Sequence, residues 1–179
     1  MNTTLKHLTL AGILNADQPT GAYVVGNDVS GYRYTGADHD GFGIVVEGAG
    51  TTVTQNVVSN NDVGVQAQAG NPNGLPGDAQ PDLSDYFDRG NAASYASVVT
   101  GNSITGNTTN FRAIGLTGAA DASGNWWGTT DQDAVDAAIV GDVDFTPYFH
   151  AGTDTSAAAG FQGDYSALDV VRIGAQVGS

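Results

Sequence analysis

The feature that most constrains this chain is an asparagine that recurs within a short repeated motif. The motif runs apolar residue, two small or polar residues, Asn, any residue, apolar residue, Ser or Thr, and then Gly or Asn. The first copy carries Leu8 in the Asn position, and the last copy carries Trp127 in the second apolar position. The five aligned stretches are LKHLTLAG (Leu5–Gly12), VVGNDVSG (Val24–Gly31), VTQNVVSN (Val53–Asn60), VTGNSITG (Val99–Gly106) and ASGNWWGT (Ala122–Thr129).

A second motif follows the first at a variable distance and has the pattern of a short strand closed by glycine. Val, Ile and Thr recur in short alternating runs, as strands require. One unit of the chain is therefore predicted as strand, Asn bend, strand, turn, strand, turn. The copies of the second motif are GFGIVVEG (Gly41–Gly48), DVGVQAQAG (Asp62–Gly70) and RAIGLTG (Arg112–Gly118).

The spacing of the motif asparagines gives the length of the unit. Successive intervals are 29, 46 and 23 residues. Two insertions, 32–40 and 71–91, lengthen the first two intervals, and without them the unit is roughly 20 to 25 residues, the size of a solenoid repeat. The 46-residue interval admits a degenerate coil instead, but its prolines would interrupt a strand ladder. The four asparagines are Asn27, Asn56, Asn102 and Asn125.

Coils of three short strands stacked on one another form a parallel β-helix. The coil lengths vary, which favours the irregular right-handed form over the left-handed hexapeptide form. We therefore predict an all-β right-handed parallel β-helix (a solenoid) of about four to five coils, in which stacked Asn amides satisfy the bent backbone. The predicted β-helix spans 1–149, with a terminal cap at 122–149. Residues 150–179 are predicted as a Gly/Ala/Ser-rich tail or connector with a strand-like segment at 168–177.

Composition excludes several classes of function. The 19 acidic residues against 5 basic ones give a net charge of −14, which argues against binding nucleic acid or docking on an anionic membrane surface. There is no cysteine, so disulfides and thiolate metal sites are absent. No stretch resembles a signal peptide or an apolar membrane span, so membrane insertion is not expected.

The repeats resemble the right-handed parallel β-helix repeats of the pectate-lyase-like superfamily, and more closely those of large secreted bacterial surface proteins. The resemblance is carried by the N-x-V-S-x-N and G-I-x-V alternation, by GNWWG (Gly124–Gly128) and by VDFTPYF (Val143–Phe149). In that family an N-W-W-G followed by V-D-[FY]-x-P commonly closes the helix. The tail GFQGDYSALDVV (Gly160–Val171) resembles a connector to a following module. The resemblance implies an extracellular or cell-surface location, but the superfold hosts enzymes and adhesins alike.

The two tryptophans of the chain, Trp126 and Trp127, are adjacent. A solenoid's last coil exposes an apolar end, so we predict that both tryptophans form a terminal cap. An aromatic platform for sugar is the alternative. The next segment is predicted as a short capping helix, in which Thr130 and Asp133 have capping-box spacing.

The best catalytic candidates lie together in the first insertion. Tyr, His and Asp side chains can act as general acid and base on a uronic acid polymer. In the resembling family some epimerases and lyases use such a set with a basic residue that neutralises the substrate's charge, a role for which Arg33 is available. The Asp-Pro-His signature of the epimerases is absent, and Asp and Gly are also ordinary turn residues. Catalytic residues are therefore weakly indicated as Tyr34, Asp38, His39 and Asp40.

The second insertion is acidic and contains aromatic residues. Carboxylates on a loop could hold calcium, which takes six to eight oxygen ligands, although no known calcium motif is present. A solvated acidic loop is the alternative. The weak metal candidates are Asp78, Asp82, Asp85 and Asp88.

Together these observations predict a non-catalytic structural or adhesion module of an extracellular or cell-surface protein. Its expected partners are itself or neighbouring modules, end to end, because the first coil has an open strand edge and 168–177 is a spare strand. Such a head-to-tail contact would build a filament. The alternative is a carbohydrate-active β-helix domain that binds, cleaves or epimerises a polysaccharide.

Overall fold

A computed structural model describes residues 4–6, 11–15, 22–34, 40–47, 50–68 and 97–168. The described residues form mostly short parallel strands. The strands are β1 (Thr4–Lys6), β2 (Ala11–Asn15), β3 (Tyr23–Val25), β4 (Asp28–Ser30), β5 (Phe42–Glu47), β6 (Thr52–Thr54), β7 (Val57–Ser59), β8 (Val63–Gln68), β9 (Val98–Val99), β10 (Ser103–Thr105), β11 (Thr109–Ile114), β12 (Ala120–Asp121), β13 (Ile139–Val140) and β14 (Val143–Asp144).

The strands make three parallel sheets, which the chain visits in turn. Sheet A has the order β1-β4-β7-β10, sheet B the order β13-β11-β8-β5-β2, and sheet C the order β14-β12-β9-β6-β3. Each set of three consecutive strands, one per sheet, is called a layer below. The described residues contain one short α-helix, α1 (Gln132–Ala137), and one 3₁₀ turn (Tyr165–Ala167). The architecture is therefore all-β and consistent with a β-solenoid. Within the described part of the chain, no helix is long and apolar enough to cross a membrane.

The register places equivalent residues of successive layers side by side. Val29 of β4 pairs with Val58 of β7, which pairs with Ile104 of β10, and all three are fully buried. A further parallel bridge joins Ser103 to Trp126, which continues sheet A by one layer. The middle residues of β4, β7 and β10 therefore point into the interior.

The repeat alignment is wrong for its first copy. It set Leu10 opposite Val29, whereas Leu5 of β1 is the residue that pairs with Val29. The register is thus shifted by the five residues between Leu5 and Leu10. Leucines at both positions satisfy an apolar pattern equally well, so the sequence alone did not separate the two registers.

The adjacent tryptophans lie on opposite sides of the sheet, because successive side chains of a strand alternate. Trp127 is buried in the interior, and its ring meets the edge of Phe111 with centroids 6.4 Å apart. Trp126 faces outward, where a Cβ on Gly152 would collide with its indole ring. Trp127 therefore packs in the interior, and Trp126 makes a contact on the outer face of the sheet.

The short helix α1 follows the tryptophans, as predicted, but its N-cap is different. Asp131 is the N-cap, and its side chain accepts a hydrogen bond from the Asp133 backbone N–H at 3.1 Å. The prediction of Thr130 as the cap is wrong by one residue. Val135 is the residue of α1 that is buried in the core.

The chain after β14 returns across the outside of the sheets. Phe149 donates its backbone N–H to Asn125 O at 2.9 Å, and its fully buried ring packs against Phe161 and Tyr165. At the 3₁₀ turn, hydrogen bonds from the Ser166 hydroxyl and then from its backbone N–H lower the pKa of Asp164. Of the predicted strand 168–177, only Leu168 is described, and it bridges antiparallel to Phe149.

The bends between sheets depend on residues with positive φ. The residue before each motif asparagine has φ between 56° and 69°, and in three of the four layers it is glycine. Gln55, with φ 56°, is the exception. A second series follows sheet A, where Gly31, Asn60 and Gly106 have φ of 84°, 57° and 66°. Positive φ disfavours most side chains, which explains the glycines at these two positions of the first motif.

Gly106→Ala should test the cost of this conformation in isolation. No atom lies within 4 Å of a Cβ built at Gly106, so only its φ of 66° opposes the substitution. We expect a loss of about 1–2 kcal/mol in the free energy of unfolding, measured by urea denaturation. Gly118→Ala is the matched control, because its Cβ also meets open space and its φ is not positive. Equal stability of the two variants would contradict the argument.

Candidate functional site

The first insertion is closed at its base by one carboxylate. Asp62, just before β8, accepts hydrogen bonds from the backbone N–H groups of Tyr34 at 2.6 Å and Gly41 at 2.8 Å. Its own backbone N–H donates to Tyr32 O and Gly41 O. Asp62 therefore holds together the two ends of the loop that the sequence had marked as a candidate catalytic site.

A polar cluster lies beside this loop on the outer face of sheet B. The Arg112 guanidinium donates from Nε to Gln66 Oε1 and from Nη1 to Asp40 Oδ2, both at 2.7 Å. It also lies over the Phe42 ring, 5.3 Å from the centroid. Gln66 in turn donates to Gln68 Oε1. The cluster Asp40–Gln66–Gln68–Arg112 is the candidate functional site.

Burial differs sharply within this candidate site. Gln66 is 4% exposed and Gln68 is 9% exposed, whereas the side chains of Arg112 and Asp40 are 22% and 44% exposed. The amides are thus the fixed inner part, and the ion pair is the outer part that solvent reaches. The arrangement presents a positioned guanidinium edge, which can bind a carboxylate or hydroxyl oxygen.

Arg33 flanks the same loop on the other side. Its Nε donates to Asn60 Oδ1 at 3.0 Å, and its Nη1 lies 3.4 Å from Thr108 Oγ1 and 3.9 Å from Asp62 Oδ1. Its side chain is 44% exposed. Two of the chain's five basic residues therefore border one loop, although the net charge is −14.

The predicted catalytic residues are only partly placed. Asp40 forms the ion pair with Arg112, and Tyr34 is exposed beside Arg33 in sequence. Asp38 and His39 lie outside the described residues. The described residues therefore bring one of the four candidates, Asp40, into contact with a basic partner.

The predicted calcium ligands are not placed either. Asp78, Asp82, Asp85 and Asp88 belong to the second insertion and lie outside the described residues. In the ranges that are described, no group of three or more His, Cys, Asp or Glu side chains converges on one point. Calcium binding by the second insertion stays a prediction.

The four motif asparagines form a ladder at the bend between sheets C and A. Each Nδ2 donates to the Oδ1 of the next layer: Asn27 to Asn56 at 2.8 Å, Asn56 to Asn102 at 2.9 Å, and Asn102 to Asn125 at 2.9 Å. The same Oδ1 atoms also accept the backbone N–H of the preceding layer's asparagine. All four side chains are buried, so the ladder is a structural site inside the fold.

A second ladder, which the sequence analysis missed, lies at the bend between sheets A and B. Asn61 donates from Nδ2 to Asn107 Oδ1 of the next layer at 3.0 Å, and Asn107 donates within its own layer to Asn110 Oδ1 at 3.2 Å. In the layer of β4, Tyr32 donates its backbone N–H to Asn61 Oδ1. The available signal was an asparagine five residues after the motif asparagine, at Asn61 and Asn107.

Comparison of the chain with protein-family models, with curated proteins and with solved structures finds no match.

Asn56→Ala should test the first ladder. The substitution removes an acceptor for two donors of Asn27 and the donor to Val24 O, Thr54 O and Asn102 Oδ1. Because Asn56 is fully buried, the orphaned groups should lower the free energy of unfolding by on the order of 1–3 kcal/mol in urea denaturation. Thr117→Ala is the control, since Thr117 is exposed and outside the ladder, and it should change stability by less than about 0.5 kcal/mol.

Arg112→Met should separate the inner and outer parts of the candidate site. It leaves the buried Gln66 Oε1 without its charged donor, which should cost about 1–3 kcal/mol. Asp40→Asn removes only the solvent-exposed ion pair and should cost less than about 1 kcal/mol. Thermal or urea unfolding measures both variants. A larger loss for Asp40→Asn than for Arg112→Met would overturn this ranking.

Proposed function

We propose that the chain is a non-catalytic structural or adhesion module of an extracellular or cell-surface protein. In this proposal the three sheets close into a right-handed parallel β-helix of about four to five coils, which serves as a stiff spacer. Its partners would be neighbouring modules or further copies of the chain, placed end to end.

The observation that carries the proposal is the way in which the polar side chains are used. In both asparagine ladders they hydrogen-bond from layer to layer rather than toward a cleft. Buried amide networks of this kind make a solenoid stiff, because bending would strain hydrogen bonds that have no water to replace them. A stiff rod suits a spacer.

The charged groups near the first insertion support a non-catalytic role. Asp62 is occupied by two backbone N–H groups, and Asp40 is paired with Arg112. A general base needs a carboxylate that can reach substrate, whereas both of these carboxylates already accept hydrogen bonds from the chain. In the proposed module, Asp62 and Asp40 therefore stabilise the loop of the first insertion.

End-to-end contact is favoured by the sheet topology. Strands β1, β2 and β3 are the last members of their sheets within the described order. A strand in that position can accept a further parallel strand, from a neighbouring module or from a second copy. Either source would lengthen the same three sheets.

A carbohydrate-active domain is the second candidate, and the Arg112 cluster favours it. A partly buried guanidinium that is stacked on Phe42 and braced by the Gln66 amide can contact a uronate carboxylate or a sugar hydroxyl. The strongly negative net charge opposes a long polyanionic ligand.

Incubation with glycans should separate the two candidates. The purified chain is mixed with alginate, pectate and neutral glycans, with calcium or with chelator, and product formation and binding are measured. The structural proposal expects no turnover and no ultraviolet-absorbing unsaturated product in any arm. Turnover in any arm would overturn it.

The control for this experiment is Arg112→Met. Binding without turnover that is lost in Arg112→Met would support an adhesion module with a carbohydrate contact at the candidate site. Binding that Arg112→Met leaves unchanged would place the contact elsewhere. A melting temperature that rises with calcium in the absence of glycan would support the predicted cation site in the second insertion.

A further inference from the structure

The chain after sheet C folds back as a hairpin, here called the C-terminal hairpin (residues 154–163). Asp154 and Gly163 form an antiparallel bridge, and Thr155 donates its backbone N–H to Gln162 O at 2.8 Å. Asp154 Oδ1 accepts the backbone N–H groups of Ser156 and Gln162. These bonds lie within the hairpin, so it holds its own shape.

The tip of the hairpin docks on the bend between sheets C and A, several layers away from where it leaves β14. Phe161 donates its backbone N–H to Gln55 O at 2.9 Å. Gly160, at φ 81°, lies so close to the bend that a Cβ there would collide with Gln55 O and lie 2.6 Å from Gly26 Cα. Only glycine fits at this contact.

This docking interrupts a regular column of backbone hydrogen bonds. At the same bend, Gly124 N–H donates to Pro147 O, Gly101 N–H to Gly124 O, and Gln55 N–H to Gly101 O. The pattern requires Gly26 N–H to donate to Gln55 O. Instead, Gly26 N–H donates to Thr54 O at 3.3 Å, and Phe161 N–H takes the Gln55 carbonyl.

Phe161 N–H therefore occupies, at Gln55 O, the place that the column predicts for Gly26 N–H. When the hairpin leaves, Gly26 N–H can take Gln55 O and restore the regular column, so no bend group is left without a partner. Aromatic contacts oppose release, since Phe161 is buried against Phe149. In the docked state the hairpin is held by side-chain packing, and in the released state Gln55 O has an alternative backbone donor. Two such arrangements are the physical basis of a two-state element.

We propose that the C-terminal hairpin is a latch, which docks on the bend at Gly26 and Gln55 and releases as a unit while the three sheets stay folded. Release exchanges the donor at Gln55 O from Phe161 to Gly26. It uncovers the ring of Phe149, which is fully buried in the docked state.

Amide hydrogen exchange of the wild-type chain, followed by NMR, tests the latch. Ile104 donates its N–H to Trp126 O within sheet A and reports global unfolding. We expect the Phe161 amide to exchange at least about 100-fold faster than Ile104, with little dependence on denaturant, because local opening exposes little surface. Exchange of Phe161 at the same rate and denaturant dependence as Ile104 would overturn the proposal.

A variant tests the exchange of partners. Gly160→Val places a side chain against Gln55 O and should hold the hairpin undocked, whereas Ala158→Val places the same side chain at an exposed tip position and should leave it docked. In Gly160→Val, the Phe161 amide should lose protection while the Gly26 amide keeps it. Loss of protection at both amides would show that Gly26 does not take the vacated carbonyl.

Far-UV circular dichroism separates release from unfolding. The strand signal of Gly160→Val should match that of Ala158→Val, since the sheets do not depend on the hairpin in this proposal. Loss of the strand signal in Gly160→Val alone would show that the hairpin is an integral part of the fold and would overturn the latch, whatever the amide of Phe161 does.

Discussion

The structure depends on hydrogen bonds that asparagine side chains make to the backbone at buried bends. Short parallel strands joined by tight bends leave N–H and C=O groups turned inward, away from the sheets and from water. The amide of Asn offers two N–H donors on one atom and an acceptor oxygen on another, so one Asn can serve its own bend and the next layer together. Asn102 illustrates this: its Nδ2 donates to Thr100 O in its own bend, to Val53 O in the neighbouring layer and to Asn125 Oδ1. Successive layers therefore stack in register, because the amide of each ladder asparagine needs a partner in the next layer.

At the end of the first ladder, a tyrosine stands in the position of the asparagine. After Asn125, the next position in register is Tyr148, since Phe149 N–H bonds to Asn125 O as Trp126 N–H bonds to Asn102 O. Tyr148 is buried with the interior cluster and donates its hydroxyl to Thr130 O at 3.2 Å. An aromatic ring thus takes the place of the amide where layers stop repeating and α1 packs instead. Hydrogen bonds between the side chains of successive layers are thus replaced by apolar packing at the end of the stack, as a terminal layer requires.

Sequence reasoning could predict those parts of the fold that repeat locally. The first ladder was visible because its asparagine stands in a fixed place between two apolar positions, and a short helix was predicted after the tryptophans, where α1 lies. The first layer was misaligned because Leu5 and Leu10 fit the same pattern, and only pairing with Val29 separates them. The candidate site could not be predicted as a unit, because Arg112 and Asp40 are 72 residues apart and meet only through the sheet register. The C-terminal hairpin was missed for the same reason, since Gly160 gives no local sign that Gln55 is its neighbour.

Charge explains why the ladders contain asparagine in a chain so rich in aspartate. Of the 19 acidic residues all but one are Asp, yet each motif position that lies in a ladder is Asn. Aspartate has the same shape, but its carboxylate cannot donate, and two stacked carboxylates would place like charges together without water. The ladder needs donor and acceptor in alternation, which the neutral amide provides and the carboxylate does not. Carboxylates are therefore confined to positions such as Asp62 and Asp131, where backbone N–H groups and solvent can stabilise the charge.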